Sequence, residues 1–175
     1  HQGGRSSREE PVVKFEDIKK LHLKKVRQEH GCFLLEGEQL VQELQKAAAG
    51  DTRLRASEIY LTREYEHWQS SLPIHVVTSR QMTQLSETRS PQGIAAVVPL
   101  LVAPPRQPNE RAVYLHEIQD PGNLGTIMRT LAWFGGFRCL LSPDSVDVHN
   151  GKAVRASMGA IFHVPVEIDV PIDTL

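Results

Sequence analysis

The sequence predicts an α/β protein built from two successive units, and three observations carry that prediction. Short apolar runs alternate with segments of helical periodicity, and the connections between them are brief. A polar stretch with prolines at 104, 105 and 108 interrupts the alternation, which then resumes. Alternation of this kind implies helices layered on sheets. The predicted organisation is a disordered tail at 1–11, an α/β unit at 12–101, a linker at 102–110 and a second α/β unit at 111–175.

Each element has its own signal. "HQGGRSSREE" is polar and lacks an apolar period, so it reads as disorder. "FEDIKKLHLKKVRQEHG" reads as a single helix, with Phe15, Ile18, Leu21 and Val26 as its apolar stripe, acids in the first turn and Gly31 as its stop. "CFLLEG" is a short buried strand. "GEQLVQELQKAAAG" is a helix with Leu40, Val41, Leu44, Ala47 and Ala48 on one face. Strand "SEIYLT", short helix "REYEHWQSS", strand "PIHVVT", a polar helix around "SRQMTQLSET" and strand "QGIAAVVPLL" complete the first unit. The linker's prolines exclude it from regular structure. The second unit reads as strand "RAVYLHEI", helix "LGTIMRTLAWFG", strand "FRCLLS", loop "PDSVDVHN", helix "GKAVRASMGAIF" and a closing extended stretch "HVPVEIDVPI".

Composition excludes several classes of function. Net charge is −1, so no global basic field is present, yet six basic residues face two acidic ones between Lys14 and Arg27. The longest apolar runs are broken by prolines and are too short to span a bilayer, so no membrane is expected. The two cysteines, Cys32 and Cys139, lie far apart and outside any C-x-x-C pattern, which argues for a reducing compartment. None of the eight histidines has metal-ligand spacing, so no metal is expected. A chain beginning with His reads as processed or cut from a longer one.

Two stretches carry candidate chemistry. In "QDPGNLGTIMRT" a strand ends, a turn forms at Pro121-Gly122, and a helix starts near Asn123. That is the usual ligand crevice of an α/β sheet, where free N–H groups favour an anion or a polarised oxygen. Gly122 and Gly125 would permit close approach of a ligand, with Asn123 as helix cap or amide donor. Arg129 then falls on the second turn within an apolar set. The alternative is a plain cap with an arginine reaching solvent. In "NGKAVRASMGAIFHVPV", Lys152, Arg155 and Ser157 cluster at a helix start. They read either as a phosphate-holding group or as the cationic face of an amphipathic helix.

"DPGNLGTIMRTLAWFG" together with "KAVRASMGAIFHVPV" resembles the SpoU (TrmH-like) branch of the SPOUT RNA methyltransferases. "FLLEGEQLVQEL" and "PQGIAAVVP" are similar to the RNA substrate-binding domain that precedes the catalytic domain in many members. The resemblance implies a small RNA-binding α/β domain followed by the first half of an α/β-knot domain. It implies methyl transfer from S-adenosylmethionine to a ribose 2′-hydroxyl of ribosomal or transfer RNA, by a homodimer in the complete protein. On that resemblance Arg129 and Asn123 are the expected catalytic residues. Lys19, Lys20, Lys24, Lys25, Arg27, Lys152, Arg155 and Ser157 are expected to bind RNA.

The family's later "GxExxG"-like and "SLNVSxA"-like stretches are absent before the chain ends at "VPIDTL". Residues that hold the cofactor are therefore expected beyond position 175. About 65 residues are also too few for a complete doubly wound sheet. A non-catalytic RNA-binding or ribosome-assembly factor of the same fold is the alternative. The expected compartment is the cytoplasm or an organelle.

Overall fold

The computed structural model describes residues 11–175, so the expected tail lies, except for its last residue, outside the described residues. Two sheets form. The first, ordered β1-β4-β2-β3, comprises β1 (Cys32–Glu36), β2 (Glu58–Leu61), β3 (Ile74–Val76) and β4 (Ile94–Pro99). β4 runs antiparallel to both β1 and β2, pairing Leu34 with Val97 and Ile59 with Ala96, while β2 and β3 run parallel. The second sheet, β5 (Arg111–Leu115), β6 (Phe137–Leu141) and β7 (Val166–Glu167), is parallel throughout.

Period-two alternation divides the first sheet cleanly. Phe33, Leu35, Ile59, Leu61, Ile94, Ala96 and Val98 face α3 (Glu38–Gly50), which supplies Leu40, Val41 and Leu44. The alternate residues Cys32, Leu34, Tyr60, Ala95 and Val97 pack with Ile18, Leu21, Met82 and Leu85. The latter two come from α4 (Ser79–Leu85), which opens on a capping box between Thr78 and Gln81. The α3-side core continues without interruption into the second unit, taking in Leu124, Met128, Ala153, Val154 and Ile161.

The single helix expected over 15–31 is two. α1 (Phe15–Ile18) ends in tight turns, and α2 (Lys24–His30) starts after Leu23 leaves helical geometry. The break lets Leu21 turn fully inward and carries Arg27 to a buried position. No glycine or proline marks it. "REYEHWQSS" forms only a 3-10 turn at Arg63–Tyr65, and the closing stretch contributes just the two residues of β7.

Residues 102–110 contain no helix or strand, and buried Arg138 on β6 fixes their path. Its guanidinium donates to Pro104 O at 2.7 Å, to Glu110 Oε2 at 3.1 Å and to Glu167 Oε2 at 3.1 Å. Two carboxylates and a carbonyl thus compensate a charge that burial alone would make costly.

Candidate active site

The loops that leave the C-terminal ends of β5 and β6 are tied to each other. Glu117, with φ of 48°, donates its N–H to Ser142 Oγ at 2.6 Å. Gln119 Nε2 donates to Asp144 O at 2.6 Å, and Val146 N–H donates to Ile118 O at 2.8 Å. These bonds hold the crevice end of the sheet in one shape. Gln119 and Ser142 escaped the sequence reading; the signal for them is only that they flank strand ends.

From this platform rises α5 (Pro121–Phe134). Its N-cap is Asp120, not Asn123: the Asp120 carboxylate accepts the Asn123 N–H at 2.8 Å, and Pro121 occupies the first helical position. Asn123 is therefore inside the first turn with its side chain outward. The shift also corrects the expectation for Arg129. Leu124, Gly125, Met128 and Leu131 form the buried face, whereas Asn123, Thr126, Arg129, Thr130 and Trp133 are exposed. Arg129 points to solvent, and no hydrogen bond or ion pair holds it among the described residues. The exposed stripe thus begins with an amide, continues through two hydroxyls and a guanidinium, and ends in an apolar patch. Trp133 is 88% exposed and Phe134 70%.

Gly125 has a different role from the one expected. It faces α6 (Gly151–Ser157) rather than a ligand: a Cβ there would lie 2.5 Å from the Ala156 carbonyl carbon and 2.7 Å from Ser157 N. Helices α5 and α6 are therefore in backbone contact.

The expected cluster on α6 separates. Lys152 is exposed beside the Asn150 cap, whose Oδ1 accepts the Lys152 N–H at 2.9 Å. Arg155 turns towards β1, with Nη1 4.0 Å from Glu36 Oε2. Ser157 is buried and donates its hydroxyl to Val154 O at 2.8 Å, which corrects its assignment as an RNA contact: it closes the helix.

The basic segment also divides. Lys20, Lys24 and Lys25 are exposed, the last 3.9 Å from Glu29; Lys19 is held by Glu16 at 2.9 Å. Arg27 is the correction here. It is 4% exposed, and its donors go to Leu21 O at 2.9 Å, His22 O at 3.0 Å and Asp147 Oδ2 at 2.7 Å. An arginine so enclosed is withdrawn from phosphate contact.

Two further features bear on chemistry. Burial pushes the Cys139 thiol up to about 12 and, with help from Glu58, the Cys32 thiol up to about 11, so both stay protonated and unreactive at neutral pH. A cavity of about 610 Å³ opens at the seam between the units, lined by Lys24, Arg53, Val102, Phe162 and Val166 among others. None of Asn123, Arg129 and Lys152 lines it, so it does not fit a methyl-donor pocket serving the α5 stripe. Among the described residues no group of three or more His, Cys, Asp or Glu side chains is placed to hold a metal ion.

Comparison with known proteins places both units. Residues 11–96 match the MRM3-like substrate binding domain, and residues 110–174 match the SpoU rRNA Methylase family. The 23S rRNA (guanosine(2553)-2′-O)-methyltransferase RlmP of Bacillus subtilis is 34% identical over 159 residues, which is 87% of this chain and 60% of that protein. Mouse mitochondrial rRNA methyltransferase 3 is 30% identical, over 85% of this chain and 38% of its own. The chain thus spans three fifths or less of these two relatives. Among solved structures, a TrmH-family protein from Porphyromonas gingivalis superposes with a TM-score of 0.77 at 28% identity, covering 93% of this chain and 64% of that one. An AdoMet-bound rRNA methyltransferase from Sinorhizobium meliloti gives 0.69 at 25%, covering 88% and 60%. With these two domains matched in this order, the chain belongs to the SpoU branch of the SPOUT RNA methyltransferases.

Proposed function

We propose that this chain is the substrate-binding domain and part of the catalytic domain of an S-adenosylmethionine-dependent ribosomal RNA 2′-O-ribose methyltransferase. The observation that carries this reading is the exposed α5 stripe. It presents a guanidinium with no partner among the described residues, and an amide, on the helix that leaves the crevice end of a parallel sheet, in a chain 34% identical to an rRNA 2′-O-methyltransferase. S-adenosylmethionine, when bound, supplies a methyl group on a sulfonium that is already a good leaving group. Positioning therefore outweighs covalent catalysis. The residues of this chain act on the RNA side of the reaction. The Arg129 guanidinium would stabilise the negative charge that develops on the ribose 2′-oxygen, or on the adjacent phosphate, as that hydroxyl gives up its proton to solvent. Asn123, six residues nearer the start of α5, orients the ribose.

Lys20, Lys24, Lys25 and Lys152 supply exposed positive charge for the flanking phosphates. The apolar end of the stripe, Trp133 and Phe134, supports association of two copies in the complete protein. Relatives come from a bacterium and from mitochondria, which supports a cytoplasmic or an organellar site of action.

The test is Arg129→Ala and Arg129→Lys in the complete protein, assayed for 2′-O-methylation of ribosomal RNA. Loss of about 10²–10³ in turnover is expected for alanine, on the scale of removing one transition-state donor. Lysine should rescue poorly, because it lacks the planar fork. Retained turnover would remove Arg129 from the mechanism. Absence of methylation by the parent protein, with RNA binding intact, would favour a non-catalytic RNA-binding factor.

A further inference from the structure

The two units meet along a seam with a polar centre. Arg27, from α2 of the first unit, reaches across to Asp147 of the second at 2.7 Å, with side-chain exposures of 5% and 15%. The same arginine donates to Leu21 O and His22 O, so it also closes the turn between α1 and α2. Asp147 has an equally double role. While Oδ2 takes Arg27, Oδ1 accepts the His149 N–H at 3.0 Å and lies 3.7 Å from His149 Nδ1. The His149 ring in turn rests on Phe33 of β1, centroids 4.8 Å apart. One carboxylate thus shapes the loop after β6 and anchors it to the other unit.

Around this centre the seam is continuous. Glu36 accepts from the Ser86 hydroxyl and from the Glu87 N–H, and faces Arg155 of α6. Gly151 sits directly beneath the Glu87 carboxylate, and Gly159 packs closely beneath Glu43 of α3, where an added Cβ would meet Cβ and Cγ at a tight 3.1 Å. The apolar core runs through from Phe33 and Leu44 to Ala153, Val154 and Ile161. Helix α6 is therefore gripped on one side by the first unit and on the other by α5 at Gly125.

We propose that Asp147, held by Arg27, is a positioning residue. It locks the substrate-binding unit onto the β6–α6 loop, so that the two units move as one rigid body and α6 holds α5 and Arg129 at a fixed aim. RNA held by the first unit is then presented to Arg129 by a rigid frame, not by a domain swinging on the 102–110 linker. Each link is a contact: Arg27 to Asp147, the Asp147 loop to α6, and α6 to α5 through Gly125. The catalytic consequence rests on the proposed methyl transfer; the rigid coupling does not.

The coupling is tested first on the unmodified complete protein by ¹⁵N relaxation. Amides of both sheets should report one rotational correlation time, and two separate times would overturn the proposal without any variant. The second measurement is hydrogen exchange on Asp147→Asn. The seam amides of Val146 and Val154 should exchange at least ~10-fold faster, since one partner of a buried pair is neutralised. Amides of Ile59 and Cys139, inside the two sheets, should keep their protection. Unchanged seam exchange, or equal acceleration everywhere, would overturn the assignment. In the complete protein, Asp147→Asn should lower kcat for rRNA methylation at least ~10-fold while leaving S-adenosylmethionine affinity unchanged, as misplacement of a reacting group does. Unchanged kcat would overturn the positioning role. A parent protein without methylation would reject the proposed function, leaving the coupling to be judged on relaxation and exchange.

Discussion

The two units share a class but differ in how they treat their surfaces. In the first, both faces of the sheet are covered, and strands β1, β2 and β4 are buried almost throughout. In the second, β5 is half exposed along its length, and α5 leaves Trp133 and Phe134 in solvent. Parallel sheets ordinarily need cover on both faces, and within this chain, which spans about three fifths of its relatives, β5 lacks it. The contrast extends to polar groups. Each unit buries one arginine, Arg27 at the seam and Arg138 against the 102–110 stretch, but only the second carries an outward amide and guanidinium, Asn123 and Arg129, along the helix that leaves its sheet. The first unit therefore reads as frame and the second as working face.

If the frame depends on the seam, the largest effect should come from Arg27→Ala. It strands Asp147 in a part-buried site and opens the α1–α2 turn, a change on the scale of about 3–5 kcal/mol for a broken buried pair. Urea unfolding monitored by hydrogen exchange should show both units destabilised together. Loss confined to the first unit would break the comparison, making the seam a passive contact. Next is Gly125→Ala, which drives a methyl group into the α6 backbone at Ala156 and should cost about 1–3 kcal/mol as overpacking. Its midpoint loss should be accompanied by lost activity in the complete protein. A neutral result would mean that α5 and α6 can separate without consequence.

These effects also mark where the sequence was readable. Periodicity located β1, α3, β4, α5 and β6, because each has one apolar face or a continuous buried run. It set the candidate stretch at the end of β5 but started the helix two residues late. Asp120-Pro121 is a strong cap-and-first-turn signal, and the exposed Arg129 matches the solvent-reaching alternative that the sequence left open. The broken helix at 19–23 was illegible, because what bends it is Arg27 bonding to carbonyls five and six residues earlier and to a carboxylate 120 residues away. Arg138 was missed for the same reason: its partners, Pro104, Glu110 and Glu167, meet only in the folded chain.

A smaller effect follows from acid. Burial opposes ionisation of Asp147, but hydrogen bonds from His149 and Arg27 prevail and hold its carboxyl well below the usual carboxylate range. A depressed folded pKa means that the stabilisation is fully present above the unfolded value of about 3.9 and is lost as pH falls below it. Stability should therefore decline below about pH 4 in the parent chain. The decline should be shallower in Asp147→Asn. Parallel pH profiles for the two proteins would mean that the seam does not titrate.

The smallest effect has the opposite sign and separates frame from seam most finely. Glu87 is pushed up from the ordinary carboxylate range, first by desolvation and then by repulsion from Glu36, with Arg155, Arg27 and His22 only partly offsetting both. An acid whose folded pKa is raised binds its proton more tightly when folded, so folding is favoured as pH falls towards the unfolded value near 4.3. At neutral pH the charged form is therefore a mild liability. Glu87→Gln keeps the shape over Gly151 and removes the charge, so it should raise the thermal midpoint slightly at pH 7 and leave it unchanged near pH 4. A lower midpoint at pH 7 would mean that the Glu87 charge is needed to hold Arg155. The seam would then have a second ionic clasp, with the first unit gripping α6 by charge as well as by packing.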